Sequence, residues 1–140
     1  MQIKETNNET IINECLDQLR EYNREKTADR NDPSGKIHFV AMDKDNQILG
    51  LLQAEYNWEW LFIKNLIVNK DHRHKGVGTE LIKKVESFAV SKKCHSIWLD
   101  TFTFQAPEFY EKNGFQMFGK LRNYPGNHDR YFYFKTLEVK

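Results

Sequence analysis

The segment Arg73-His74-Lys75-Gly76-Val77-Gly78-Thr79, preceded by Lys70-Asp71-His72, gathers three kinds of group that hold an anion. It lies between an apolar run of strand length, Leu61 to Val68, and the most regular amphipathic stretch of the chain, Thr79 to Lys92. A helix starting there presents unpaired backbone N–H groups and the positive end of its dipole, and the glycines let a ligand approach the main chain. Arg73 and Lys75 add mobile cations, and the Thr79 hydroxyl can cap the helix or reach a ligand oxygen. A pyrophosphate suits this set best. Two commoner phosphate motifs are excluded by their letters: there is no Gly-Lys-Ser/Thr, and Leu81 stands where a dinucleotide fingerprint needs a third glycine.

The elements that must position this loop follow from periodicity. After a short strand at Gln2 to Glu5, the residues Ile11, Ile12, Cys15, Leu16, Leu19 and Tyr22 recur at helical spacing, with Thr6 and Glu9 set as a capping box. Polar and turn-forming residues from Lys26 to Gly35 then separate helix from sheet. Ile37 to Met42 and Ile48 to Tyr56 read as a hairpin around Asp43-Lys44-Asp45-Asn46, and Leu61 to Val68 as a third strand. Leu81, Ile82, Val85, Phe88 and Ala89 mark one face of the helix Thr79 to Lys92. Ser96 to Phe104 is β-branched and aromatic and reads as a buried strand. A short helix follows, with Pro107 in its first turn and Asn113-Gly114 at its C-terminal cap, and two closing strands span Phe115 to Leu121 and Tyr131 to Leu137. This order predicts an α/β fold, a mixed sheet covered by helices.

Arg-x-x-Gly-x-Gly between strand and helix, followed by Phe109-Tyr110-Glu111-Lys112-Asn113-Gly114-Phe115, resembles the GCN5-related N-acetyltransferase (GNAT) superfamily. The likeness is most specific from Leu66 to Phe118, and the element order fits from end to end. It implies a mostly antiparallel central sheet of about six to seven strands with about three to four helices. It implies further that Leu66, Ile67 and Val68 lie on a splayed strand whose backbone pairs with the pantetheine arm of acetyl-CoA. Arg73, His74, Lys75, Gly76, Val77, Gly78 and Thr79 would hold its pyrophosphate, Gln105 would join the cofactor site, and Tyr110 would stand beside the thioester sulfur. The segment Tyr124-Pro125-Gly126-Asn127-His128-Asp129 resembles small bacterial members that acetylate free amines or amino acids. Two positions depart from the superfamily's habit: Lys64 and Asn65 stand where a glutamate is common, and Thr103 where an asparagine is. The general base and some pantetheine contacts therefore stay open.

Acetyl transfer to an amine needs a neutral nucleophile, a donor for the developing oxyanion and a proton for the leaving thiolate. Tyr110 is the candidate acid, against the plainer role of a core aromatic like Phe109. A backbone N–H near Val68 is the candidate oxyanion donor. Glu55, ending an apolar strand, leads the candidates for base, with Glu59 and Asp100 behind it. Trp58, Trp60, Tyr124 and His128 are the candidate acceptor pocket, although aromatics mostly serve packing.

Composition narrows the class. A chain of 140 residues with ten Phe, six Tyr and three Trp is expected to form one domain over residues 1–140. Lys and Arg (21) nearly cancel Asp and Glu (20), so no broad field draws the chain to nucleic acid or an anionic membrane. No targeting pattern and no membrane-length apolar run is seen, which predicts a cytoplasmic protein. Cys15 and Cys94 lack metal-ligand spacing and read as buried reduced thiols, and no metal is expected. The expectation is an acetyl-CoA-dependent N-acetyltransferase acting on a small-molecule amine, an amino acid or polyamine-like, by direct transfer in a ternary complex, with a homodimer through the closing strands left open. The alternatives are a protein or peptide N-acetyltransferase and a non-catalytic CoA-binding module.

Overall fold

Among the described residues, period-two alternation of apolar residues becomes six strands, and 3.6-residue periodicity becomes three α-helices. The computed structural model describes residues 1–27 and 33–137. Contacts divide the chain into two units, the N-terminal helix and everything from residue 32 onward.

The first unit is α1, Glu9–Lys26. Its N-cap is Asn8, whose side chain accepts hydrogen bonds from the N–H groups of Thr10 and Ile11 at 3.0 and 3.2 Å. The expected cap Thr6 instead accepts from the Asn8 N–H. Residues 2–5 form no strand, and no residue of α1 is buried. Cys15 is consequently exposed, contrary to expectation, whereas Cys94 is buried. The expected polar linker falls largely on residues 28–32, outside the described residues.

The second unit is a six-stranded sheet in the order β1-β2-β3-β4-β6-β5, with β1 at Gly35–Met42, β2 at Ile48–Asn57, β3 at Trp60–Val68, β4 at Ser96–Phe102, β5 at Gln116–Leu121 and β6 at Arg130–Thr136. All neighbours are antiparallel except β3 and β4. These two are joined by a crossover through a 3₁₀ turn at Lys70–His72 and helix α2, Val77–Ser91, the connection a parallel pair requires. Helix α3, Pro107–Lys112, links β4 to β5. The core lies between α2 and one sheet face: Leu81, Ile82, Val85 and Ala89 pack with Leu52, Ala54, Leu61, Ile63, Ile97, Leu99 and Tyr133. The Lys135 ammonium ties α2, α3 and β6 together, donating to Glu86 Oε1 at 2.8 Å and to the Asn113 carbonyl at 2.9 Å.

Two boundaries differ from expectation for local reasons. β4 stops at Phe102 because Gln105 Oε1 accepts from the Phe102 N–H and the Thr101 hydroxyl, both at 2.9 Å, which folds the chain into a turn. α2 begins at Val77 rather than Thr79, because Gly76 adopts φ 84° and serves as the N-cap.

Candidate active site

β3 and β4 pair only from Trp60 opposite Ser96 to Ile63 opposite Leu99. Beyond that point both strands continue, to Val68 and Phe102, without pairing, so a split opens between them. Lys64 sits at its apex as the extra residue of a β-bulge, since Ala54 faces Ile63 while Gln53 faces Asn65.

The bulge resets which backbone groups face the split. The Asn69 N–H donates to the Leu49 carbonyl at 2.8 Å, and Ile67 and Asn65 stand opposite Leu51 and Gln53 in the same alternation. Alternate residues of an antiparallel strand turn their polar groups to the same side. Those of Asn69, Ile67 and Asn65 therefore point to β2, leaving the N–H and C=O groups of Leu66 and Val68 directed into the split. Of the three residues expected to pair with a ligand, Leu66 and Val68 face the split, the Val68 carbonyl accepting from Arg73 Nε, and Ile67 turns its polar groups to β2.

The edge leads to the start of α2. Gly76 has no side chain to cap the helix, and the first helical bond runs from the Glu80 N–H to the Gly76 carbonyl at 3.0 Å. The N–H groups of Val77, Gly78 and Thr79 thus have no intrahelical acceptor. Arg73, His74 and Lys75 are exposed around them, with Arg73 Nε 3.4 Å from the Val68 carbonyl. His74 has a positive φ of 64°, which bends the loop toward the helix end. The two glycines have different reasons. A Cβ at Gly76 would meet nothing within 4 Å, so its left-handed backbone is what calls for glycine. A Cβ at Gly78 would stand 2.9 Å from Phe109 Cζ, so Gly78 makes room for α3 rather than for a ligand.

Phe109 and Tyr110 splay from α3 to different tasks. The Tyr110 ring packs against Phe115 and Tyr133 at 6.0 and 6.2 Å between centroids. Tyr133 is the β6 partner of Leu99, the last β4 residue paired with β3, so Tyr110 lies level with the beginning of the split. Burial, with a smaller contribution from the Asp100 carboxylate, pushes the Tyr110 phenol up to about 12. Tyr133 is also pushed up to about 12, by burial and then by donating its hydroxyl to Glu111 Oε1 at 3.1 Å.

Asp100 is the first β4 residue past the last β3–β4 pair. Its Oδ1 accepts from Arg130 Nε at 2.9 Å, with side-chain exposures of 14% and 26%. The guanidinium also lies over the rings of Phe102, Tyr124 and Phe132 at 5.1 to 5.5 Å, and the bond to Asp100 raises its pKa. Sequence reasoning ranked Asp100 low and passed over Arg130, because only β4–β6 register, which joins Phe102 to Arg130, brings them together. Arg130 following a turn on an alternating aromatic strand was the available signal.

The other expected residues are dispersed. Glu55 alternates with buried Ala54, lies on the sheet face opposite α2, and forms a half-exposed ion pair with the bulge residue Lys64 at 3.7 Å. Trp58 and Trp60 occupy the β2–β3 hairpin, at the end of β3 remote from the loop that leads into α2. Tyr124 and His128 lie beside the C-terminal end of β4, where Tyr124 stacks with Phe102 and His128 meets Phe104 edge-on. The structure does not bring the four acceptor-pocket residues into one place. Thr103 is spent on structure, its hydroxyl accepting from the Asp129 N–H at 3.1 Å. Gln105 Oε1 is likewise committed to the turn after β4.

The split sheet, the glycine-led helix start and a tyrosine level with the split are the arrangement that the resemblance to acyl-CoA-dependent acyltransferases implies. The chain belongs to the Acetyltransferase (GNAT) family, whose profile matches residues 4–115. It is 30% identical over 86 residues, 61% of its length, to a blasticidin-S acetyltransferase of Streptomyces morookaense, and that match spans 63% of the relative, just under two thirds. The fold is similar to that of an acetyltransferase from Bacillus cereus ATCC 14579, with a TM-score of 0.89, 29% identity and coverage of 98% of both chains. It is also similar to a Bacillus anthracis str. Ames protein described as a streptothricin acetyltransferase, solved in complex with acetyl coenzyme A. There the TM-score is 0.68 at 27% identity, over 77% of this chain and 65% of that one. Among the described residues no helix is long and apolar enough to cross a membrane.

Proposed function

We propose that the chain, acting as a single acetyltransferase domain, moves an acetyl group from acetyl-CoA to the primary amine of a small molecule, amino-acid-like or polyamine-like, by direct transfer in a ternary complex. The observation that carries this reading is the open β3 edge at Leu66 and Val68, which runs from an uncapped helix N-terminus to Tyr110. The names given to the blasticidin-S and streptothricin relatives, each of which specifies a small molecule, support it.

The N–H groups of Val77, Gly78 and Thr79, with Arg73 and Lys75, match a diphosphate in charge and in donor number. The N–H and C=O groups of Leu66 and Val68 match the amides of a pantetheine arm laid along the strand. Acetyl-CoA supplies the activated acyl group when bound. Because Tyr110 lies level with the beginning of the split, the Leu66 N–H, nearer the bulge than Val68, is the better placed donor to a carbonyl oxygen at the reacting end.

The Tyr110 phenol, pushed up to about 12, keeps its proton throughout the neutral range. Full transfer to a thiolate whose conjugate acid titrates near ~8.5 would be uphill by about 5 kcal/mol. Tyr110 therefore acts by donating a hydrogen bond to the sulfur. The acceptor amine must arrive from the opposite face, where Glu55, open to water and beside the bulge, takes the proton through solvent.

A panel of primary amines assayed for CoA release tests the reading. Turnover of at least one small amine, greatly reduced in Tyr110→Phe with acetyl-CoA binding retained, is expected. Full turnover by Tyr110→Phe would remove Tyr110 from the chemistry.

A further inference from the structure

Helix α3 carries Tyr110 but does not orient it unaided. It is six residues long, has no side-chain bond at its Ala106 N-cap, and none of its residues is fully buried. So short a helix is marginal by itself, and both its direction and its rotation about its own axis come from the elements around it. Lys135 fixes the C-terminal end, donating to the Asn113 carbonyl at 2.9 Å. A different residue of the same strand fixes the rotation.

Tyr133 stands on β6, an interior strand, opposite Leu99 of β4 and Met117 of β5. It is 0% exposed, so its hydroxyl has to meet an acceptor inside the protein. That acceptor is Glu111 Oε1, at 3.1 Å, while the Tyr133 ring lies 6.2 Å from the ring of Tyr110 and tilted from it by 33°. One side chain on a paired strand thus holds two consecutive residues of α3. Successive helical residues lie about 100° apart around the axis, so holding both sets the rotation of the helix. That rotation decides whether the Tyr110 phenol points at the split or past it. Leu99 is also the last β4 residue paired with β3, so the opening of the split and the orientation of the phenol refer to one register.

We propose, resting on the acetyltransferase reading above, that Tyr133 is a positioning residue for acetyl transfer: through its bond to Glu111 it turns α3 so that the Tyr110 phenol meets the thioester sulfur. Supporting groups on rigid elements serve this purpose where a reacting geometry must be kept.

Two variants break the bond from opposite sides. Tyr133→Phe keeps the ring and removes the hydroxyl, and Glu111→Ala removes the acceptor at an exposed position, leaving the core intact. Each should lower kcat about tenfold for whichever amine is turned over, with the acetyl-CoA dissociation constant within about twofold of the parent's. Glu111→Gln retains an acceptor oxygen and should hold kcat within about twofold. In a Tyr110→Phe background, adding Tyr133→Phe should lower kcat by less than about twofold, because its effect runs through the phenol that is gone. Unchanged kcat in either bond-breaking variant, a loss in Glu111→Gln equal to that in Glu111→Ala, or the same loss with and without Tyr110 would overturn the proposal and leave the acetyltransferase reading standing. If no amine is turned over, that reading fails and the phenol decides alone. Phenolate absorbance of Tyr133→Phe, with Tyr133→Phe/Tyr110→Phe as reference, follows Tyr110. A titration clearly below the value of about 12 that burial, aided by Asp100, gives it in the parent protein supports positioning by Tyr133, and an unmoved titration overturns it.

Discussion

Gly78 in the first turn of α2 lies against the ring of Phe109 on α3, so close that an added Cβ would stand 2.9 Å from Phe109 Cζ. This contact joins the helix end that follows the Arg73-to-Gly76 loop to the helix that carries Tyr110. The position of the phenol is therefore set partly by a glycine thirty-two residues earlier in the chain.

Gly78→Ala is expected to displace the Phe109 ring and cost about 1–2 kcal/mol, overpacking being offset in part by alanine's better helix propensity. Gly78→Ala and Phe109→Leu should be coupled by about 1 kcal/mol in a double-mutant cycle read by urea denaturation. Gly76→Ala should cost a similar ~1–2 kcal/mol through its left-handed backbone, yet show no coupling to Phe109. Equal coupling for both glycines would mean that the α2–α3 contact is misassigned.

Alkaline pH reports on Tyr110. Its folded pKa, pushed up to about 12 from 10.0, lies above the unfolded value, so the unfolded chain loses this proton first. Stability should hold up to about pH 10 and then fall by about 1.4 kcal/mol per pH unit until about pH 12, with Tyr133 acting in the same direction. Tyr110→Phe should make that decline shallower. Denaturation midpoints measured between pH 9 and 11 decide, and an unchanged slope in the variant would show the phenol to be unperturbed.

Asp100→Asn removes both the charge that adds to the Tyr110 shift and the partner of Arg130. The phenol should titrate lower than in the parent protein, as read by phenolate absorbance. Stability should drop by about 1–2 kcal/mol, less than the loss from a fully buried pair because both side chains retain some access to solvent. A Tyr110 titration indifferent to this substitution would place the two groups farther apart than the split implies.

The sequence told most where one strong local signal acts alone. The α2 periodicity, the Pro107 start and Gly114 cap of α3, and the Gly76 turn are each written in neighbouring residues, and all six strands fall within a few residues of expectation. Boundaries slipped where two local signals competed: Asn8 outbid Thr6 for the first cap, and Gln105 ended β4 early. What the letters hide is register. The bulge at Lys64 decides that Leu66 and Val68, not Ile67, face the split, and it depends on pairing with β2. Asp100 and Arg130 are thirty residues apart and meet only through the β4–β6 ladder. The same cause scattered the expected acceptor pocket, because Trp58 and Trp60 share an aromatic character with Tyr124 and His128 but lie at the other end of the sheet.

Acetyl-CoA binding tests the whole account most directly, by calorimetric titration and by melting temperature on the full chain. One site per chain is expected, with about 2.7 kcal/mol of added stability at ~100 times the dissociation constant. Arg73→Ala/Lys75→Ala should weaken binding about tenfold, and the loss should shrink as salt is raised. No heat and no rise in melting temperature with millimolar acetyl-CoA, or undiminished binding in the double variant, would contradict the claim that the α2 N-terminus and the open β3 edge hold this ligand.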